Sequence, residues 1–314
     1  HLPIRYFSAE QLQVVPVAEP SAVVQAAVGT PSVAEAAAIL AAGEPLQIGP
    51  KKKSDSATAL VATIRHVGQV DVVGIGPGGR EQLTFEALNT LRQADVVVGY
   101  RLYTDIVRQW LPLARISEWD IGQEEQRVVH AIEQARSGQH VALVSSGDAG
   151  IYGLAGLVYE SLSGPLEVKM IPGLTAAGSA ATLLGAPLMA DFAAISLSDL
   201  HVPSEVILSR LRAAAQADLV AVLYNPASQR RRELLAEAQR IFLEQRPSGT
   251  PAGLVRNAYR AGQTVRIVEL SQLPLDDVDM FTTVVIGNSQ TRLIGERMVT
   301  QRTYRSSSAS SSSR

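Results

Sequence analysis

Val70-Asp71-Val72-Val73-Gly74-Ile75-Gly76-Pro77-Gly78-Gly79 decides the reading of this chain. A β-branched apolar run of this kind fits a strand covered on both faces of a sheet. The glycine-rich loop after it lets the backbone turn sharply and come close to something bound. Gly74, Gly76 and Gly79 also meet the G-x-G-x-x-G spacing of dinucleotide-binding proteins. That fingerprint needs an acidic residue about 20 positions on, at the end of the next strand. Here the next strand ends in Gly99-Tyr100-Arg101, and Asp95 stands at its start. Pro77 removes one of the backbone donors that a pyrophosphate would use. Both departures speak against a nicotinamide dinucleotide site.

Outward from this loop, strand-like and helix-like stretches alternate. Helical periodicity is expected at 83–91, 103–110, 124–136 and 154–162, and strands at 94–98, 141–145 and 166–171. From about residue 190, strands are expected at 193–197, 219–224, 251–255, 264–269 and 283–286, the last of the chain, with helices at 205–216 and 231–243. This predicts an α/β fold in two units at 70–188 and 189–304, the alternation in the first implying a largely parallel sheet with helices on both faces. Several strands end in small or polar residues: Gly76-Pro77-Gly78, Gly147-Asp148-Ala149, Pro172-Gly173-Leu174-Thr175-Ala176, Tyr224-Asn225-Pro226 and Arg256-Asn257. Ligands of open α/β sheets bind outside the carboxyl ends of the strands, so these ends form the candidate site.

A separate block, residues 1–65, comes first. Residues 22–27 and 32–42 are alanine-rich and helix-favouring, with Ser32 and Glu35 spaced as a capping box and Gly43 as a C-cap. Lys51-Lys52-Lys53 reads as a solvated turn or a site for an acidic ligand, 58–64 as a strand and 66–69 as a linker. Residues 305–314 are serine-rich without an apolar anchor and read as a disordered tail. Over all 314 residues, 46% are hydrophobic and 18% charged, which suits packed domains. A formal charge of -2 argues against an overall nucleic-acid-binding surface. The absence of cysteine excludes disulfides, iron–sulfur ligation and a cysteine nucleophile, and fits a reducing cytoplasm. No metal site is expected, and no apolar run reaches the ~20 residues of a membrane span. The chain begins at His1 with no signal pattern, and so reads as a processed product or a fragment.

Gly74-x-Gly76-Pro77-Gly78, Gly147-Asp148-Ala149-Gly150-Ile151-Tyr152-Gly153, Pro172-Gly173-Leu174-Thr175-Ala176 and Leu223-Tyr224-Asn225-Pro226, in this order, resemble the tetrapyrrole (corrin) methyltransferase family. The resemblance covers residues 70 to about 300. Gly99-Tyr100 and Val255-Arg256-Asn257-Ala258 are similar to the members that methylate C17 of a corrin precursor with ring contraction. Gly79 stands where the family loop usually carries Asp. The resemblance implies a two-domain fold with a cleft between the domains, S-adenosyl-L-methionine held there mainly by backbone groups, a small-molecule tetrapyrrole substrate and a cytoplasmic homodimer. Carried over by motif, Gly147, Asp148, Ala149, Ile151 and Tyr152 would line the cofactor, and Thr175 and Ala176 its methionine or ribose. Tyr224 and Asn225 would hold the adenine region, with Arg256 and Asn257 nearby, while Gly76, Pro77 and Gly78 would face the tetrapyrrole. Residues 20–21, 29–37 and 50–58 resemble about half of the C-terminal domain of lactone-opening cobalamin-biosynthesis proteins, which implies a fusion of two pathway activities.

Methyl transfer from a sulfonium to carbon asks chiefly for alignment and exclusion of water. Ring contraction would benefit from acid–base help, for which Asp148 and Tyr100 are the candidates, with Ser145 and Ser146 nearby. Asp148 and Thr175 also suit helix caps. A polycarboxylate substrate calls for arginine, and Arg80 and Arg101, beside Tyr100, follow strand ends. Arg230-Arg231-Arg232 opens a helix against its dipole, a hint of an approaching anion. His66, His130, His140 and His201 stand isolated and read as structural or exposed. A methylase of the same fold acting at another ring position, and a non-catalytic tetrapyrrole-binding module, remain as alternatives.

Overall fold

The computed structural model describes residues 6–42, 46–48, 50–53, 58–60, 62–64, 68–226 and 232–302. The valine run forms β1 (Gln69–Gly74), followed by β2 (Val96–Tyr100), β3 (Ile116–Trp119), β4 (His140–Ser145) and β5 (Glu167–Ile171). These make one sheet in the order β3-β2-β4-β1-β5, every neighbouring pair parallel. The linking helices are α1 (Phe85–Gln93), α2 (Arg101–Trp110), α3 (Glu124–Arg136) and α4 (Ala155–Glu160). Alternation along β1 divides the core: Val70 and Val72 pack with Val128, Ala131 and Ile132 of α3, while Val73 and Ile75 pack with Ala87 and Leu91 of α1 and Val107 of α2. The helix expected from Leu83 starts instead at Phe85, because Thr84 caps it by accepting the Ala87 N–H at 3.1 Å. Strand β3 escaped sequence reading because Ile116-Ser117-Glu118-Trp119 is a short, half-exposed edge with little apolar signal.

The second sheet comprises β6 (Phe192–Ser196), β7 (Val220–Tyr224), β8 (Pro251–Arg256), β9 (Thr264–Glu269) and β10 (Thr282–Ile286), in the order β6-β7-β10-β8-β9. Only β6 and β7 run parallel; the other three pairings are antiparallel. Residues 257–263 between β8 and β9 are too few for a parallel crossover, which takes about a dozen or more. Helices α6 (Ser204–Gln216) and α7 (Arg232–Leu243) cover one face through Ile207, Leu211, Leu235 and Phe242. The other face is covered by α5 (Ala176–Leu184), whose Ala177, Ala180 and Leu184 pack on Val222, Val255 and Val285.

Helix α5 follows β5 in sequence but belongs to the second core. Residues 172–175 thus join a strand of the first sheet to a helix packed on the second. A final hairpin, Thr291–Ile294 with Arg297–Thr300, lies beyond the strand expected to be last and pairs with Gly185–Ala186.

The N-terminal block has helices Ala9–Gln13, Ala22–Val28 and Val33–Ala42, the first and third of which meet at a small core of Leu12, Val15 and Ala36. The capping box expected at Ser32 and Glu35 does not form. The Ser32 N–H donates to Thr30 Oγ1, and the Glu35 carboxylate accepts from the Ala18 N–H at 2.6 Å and pairs with Lys51 Nζ at 3.4 Å. Lys51 is thus an internal ion-pair partner rather than a solvated turn residue. The strand expected at 58–64 is two pieces, Thr58–Ala59 paired with Lys52–Lys53 and Ala62–Ile64 paired with Leu46–Ile48. Gly43, residues 65–67, Arg230, Arg231 and the tail 305–314 lie outside the described residues.

Candidate active site

The loops at the carboxyl ends of β1 and β4 are tied together by backbone bonds, and the loop after β5 packs against both. The Gly76 N–H donates to Gly147 O at 3.0 Å and the Gly147 N–H to Gly76 O at 2.8 Å, an isolated antiparallel bridge. Gly76 thus spends both of its backbone polar groups on Gly147 rather than on a phosphate. A side chain at Gly173 would stand 2.1 Å from Gly147 O and 2.6 Å from Gly74 O, so the close approach of the loops requires glycine there. Asp148 completes the junction: Oδ1 accepts from the Gly150 N–H at 2.8 Å and Oδ2 from the Gly173 N–H at 2.9 Å. Both oxygens accept backbone donors, so Asp148 clamps the two loops together. Nor does it cap α4, whose N-cap Leu154 has no side-chain cap bond.

The second unit reaches this junction through tyrosines. Tyr224 Oη lies 2.5 Å from Thr175 Oγ1 and accepts the Ala177 N–H at 2.9 Å. Thr175 occupies the N-cap position of α5 without a side-chain cap bond, and Tyr224 satisfies the orphan donor instead. In the reverse direction, the Tyr152 hydroxyl donates to Ala194 O at 2.7 Å, its ring 5.1 Å from that of Tyr224. Burial, the leading cause, holds the Tyr152 phenol above its usual pKa. Tyr152, Asn225, Asn257 and Tyr259 all have positive φ, between 49° and 57°; among the described residues only Asp218 joins them outside glycine. Strain of this kind gathers at ligand clamps.

Between these loops lies a cavity of about 430 Å³, within the size of small-molecule sites. Of the expected residues, Pro77, Tyr100, Gly147, Asp148, Ile151, Tyr152, Thr175, Ala176, Tyr224, Asn225 and Asn257 line it. The others stand back. Ala149 is buried behind the loop, and Gly76 is in the bridge. Arg80 is exposed on the turn Arg80–Gln82. The Arg101 side chain is 62% exposed and pairs with Asp120 at 3.6 Å. Arg256 donates to Asp279 at 2.7 Å, bracing the Met280–Phe281 wall rather than facing the cavity. Arg232 pairs with Asp276 at 3.2 Å.

Among the lining residues that sequence reading missed, Tyr103 and Arg260 carry the polar chemistry. The half-buried Arg260, on the β8–β9 loop, donates from Nε to Pro77 O and from Nη2 to Ser146 Oγ at 2.8 Å. Burial lowers its pKa, with Tyr103 opposing. Gly78 does not line the cavity either. It has φ +125°, and a Cβ there would lie 2.4 Å from Arg260 Nε, so the bare backbone makes room for the guanidinium. Burial likewise holds the Tyr103 phenol above its usual pKa, so it is a hydroxyl donor. The one available signal was Arg260 itself, four residues past Arg256 in a loop too short to lie far from the strand end. Of the histidines, His140 is not isolated: Nε2 lies 2.6 Å from buried Asp71 Oδ2, at the strand starts opposite the cavity. His130 contacts Ser117 Oγ at 3.3 Å, His201 is exposed, and His66 lies outside the described residues.

Residues 69–274 match the family described as Tetrapyrrole (Corrin/Porphyrin) Methylases, and residues 1–62 match Cobalamin synthesis G C-terminus. A probable cobalt-factor III C(17)-methyltransferase of Salmonella typhimurium is 43% identical over 238 residues, covering 75% of this chain and 99% of that protein. The cobalt-factor III methyltransferase of Priestia megaterium is 43% identical over 244 residues, covering 76% of this chain but 45% of the length of that relative. A crystal structure of the methyltransferase CobJ is similar with a TM-score of 0.70 and 34% identity, over 74% of this chain and 100% of that one. With both sheets and the cavity between them inside or beside the matched span, the chain belongs to the tetrapyrrole (corrin/porphyrin) methylase family.

Proposed function

We propose that this chain is an S-adenosylmethionine-dependent methyltransferase that methylates C17 of a corrin precursor, cobalt-factor III or precorrin-3B, with ring contraction. The observation that carries the reading is the convergence of strand-end loops from both units on one cavity, in a chain 43% identical over 238 residues to a relative named as a probable cobalt-factor III C(17)-methyltransferase. S-adenosylmethionine, when bound, supplies an electrophilic methyl group on a sulfonium. The cavity fits such a group: a side chain at Gly147 would find its nearest neighbour, Ala176 N, at 3.8 Å, so the bare glycine leaves space against α5. Gly147, Ile151, Tyr152, Thr175 and Ala176 would hold it from one side, and Tyr224, Asn225 and Asn257 from the other. Asp148, with Ala149 behind it, keeps the loop rigid, and Arg256 acts through Asp279.

Leu102, Ile121, Met280 and Phe281 line the cavity with apolar surface and help to exclude water. Tyr100, its ring 5.3 Å from Tyr103, is the lining hydroxyl we assign to proton movement during ring contraction. Pro77 presents the opening loop to the tetrapyrrole. The same reading carries a cytoplasmic homodimer, supported by the resemblance and the cysteine-free composition, and a pathway fusion through residues 1–62. Isothermal titration with S-adenosylhomocysteine tests it: saturable one-site binding is expected, and no binding would remove the methyltransferase reading.

A further inference from the structure

Arg260 and Asp148 are the two ionic side chains lining the cavity among the described residues. Asp148 is committed to the Gly150 and Gly173 N–H groups. Arg260 is different, because no carboxylate among the described residues pairs with it, whereas Arg101 and Arg256 nearby are matched by Asp120 and Asp279. Its recorded partners are neutral, Pro77 O and Ser146 Oγ, and they engage two of five N–H donors. The loop holds it rigidly: the Arg260 N–H donates to Asn257 O at 2.9 Å, and the Tyr259 N–H to Gln263 Oε1 at 2.7 Å. Taking a guanidinium partly out of water without a counter-charge is costly, and the cost is recovered only when a ligand brings an anion. A planar fork with free donors suits a carboxylate, and Tyr100, Tyr103 and Ser146 add hydroxyls on the same cavity wall.

We propose that Arg260, seated on Gly78 and backed by Ser146 and Tyr103, is a specificity-determining carboxylate subsite of the cleft. The anion is a ligand carboxylate. The polycarboxylate tetrapyrrole brings several and is the expected source, while the α-carboxylate of the cofactor is the other. This inference rests on the methyltransferase reading and assigns the arginine contact that Arg80 and Arg101 do not make.

The test compares wild type with Arg260→Met by calorimetry against cobalt-factor III, S-adenosylhomocysteine and 5′-methylthioadenosine, which keeps the adenosine but has no carboxylate. For a lost charge-assisted bond we expect about 10–100-fold weaker cobalt-factor III binding, with both nucleosides within about twofold of wild type. Weakening of S-adenosylhomocysteine alone would keep the subsite and assign it to the cofactor carboxylate. Unchanged binding of all three, or equal weakening of 5′-methylthioadenosine, would overturn the proposal, the latter marking Arg260 as a brace between loops. Arg260→Lys keeps the charge without the fork, and should give a smaller loss with the same selectivity even where the methionine variant does not fold. Wild type that binds cobalt-factor III but not S-adenosylhomocysteine would contradict the methyltransferase reading while leaving the Arg260 comparison intact on the tetrapyrrole.

Discussion

At the scale of single residues, the cleft is held by side chains whose polar atoms are already spoken for. Asp148→Ala would orphan the Gly150 and Gly173 N–H groups. Water can replace the partner of the exposed Gly150 N–H, but the half-buried Gly173 N–H left unsatisfied costs about 1–3 kcal/mol, so we expect a loss of stability in urea unfolding together with weaker S-adenosylhomocysteine binding. Arg101→Ala breaks an exposed pair worth about 0–1 kcal/mol and should leave the KM for the tetrapyrrole unchanged. Asp279 provides a pH test. Burial works to raise its pKa, but hydrogen bonds from Arg256, Thr282 and the Phe281 N–H outweigh it, and the net position is below the ordinary carboxylate value. A depressed carboxylate pKa contributes stability that is present above the unfolded value, about 3.9, and is lost as pH falls through the folded value. Wild type should therefore exceed Asp279→Asn in melting temperature near neutral pH, and the gap should close below about pH 4. A gap independent of pH would contradict this.

At the scale of elements, the informative contact is between α5 and the end of β7. Tyr224→Phe removes the acceptor for the Ala177 N–H, and loss of a cap costs about 1 kcal/mol. Hydrogen exchange should quicken at Ala177 while the α3 amides stay protected. Much of this level was legible beforehand. The valine run, the four-loop pattern and most helices follow from periodicity and from strand ends, and eleven expected site residues do line the cavity. What escaped notice had physical reasons. Strand β3 and the final hairpin are short, with weak apolar alternation. The assignment of α5 to the second core depends on tertiary packing of alanines that no local signal reveals. Arg80 and Arg101 follow strand ends as expected of anion binders, but Arg101 finds an acid close by. Arg260 enters from a loop far along the chain, and Gly78 admits it by having no side chain.

At the scale of the molecule, the two sheets carry separate cores that meet at the strand-end loops, and no described residue before Val70 enters any of the four core clusters on these sheets. Leu12, Val15 and Ala36 make a small cluster of their own. Deleting residues 1–67 is therefore expected to leave both the main unfolding transition and S-adenosylhomocysteine binding unchanged, as calorimetry would read them. A shift in either would mean that the N-terminal block supports the methylase units. The central claim concerns the cavity between the sheets, and the most direct measurement is a turnover with S-adenosylmethionine labelled with carbon-13 at the methyl group and cobalt-factor III as acceptor. Carbon NMR and mass spectrometry of the product are expected to show one labelled methyl at C17 on a contracted ring, whereas no transfer, or a label at another ring position, would contradict the account.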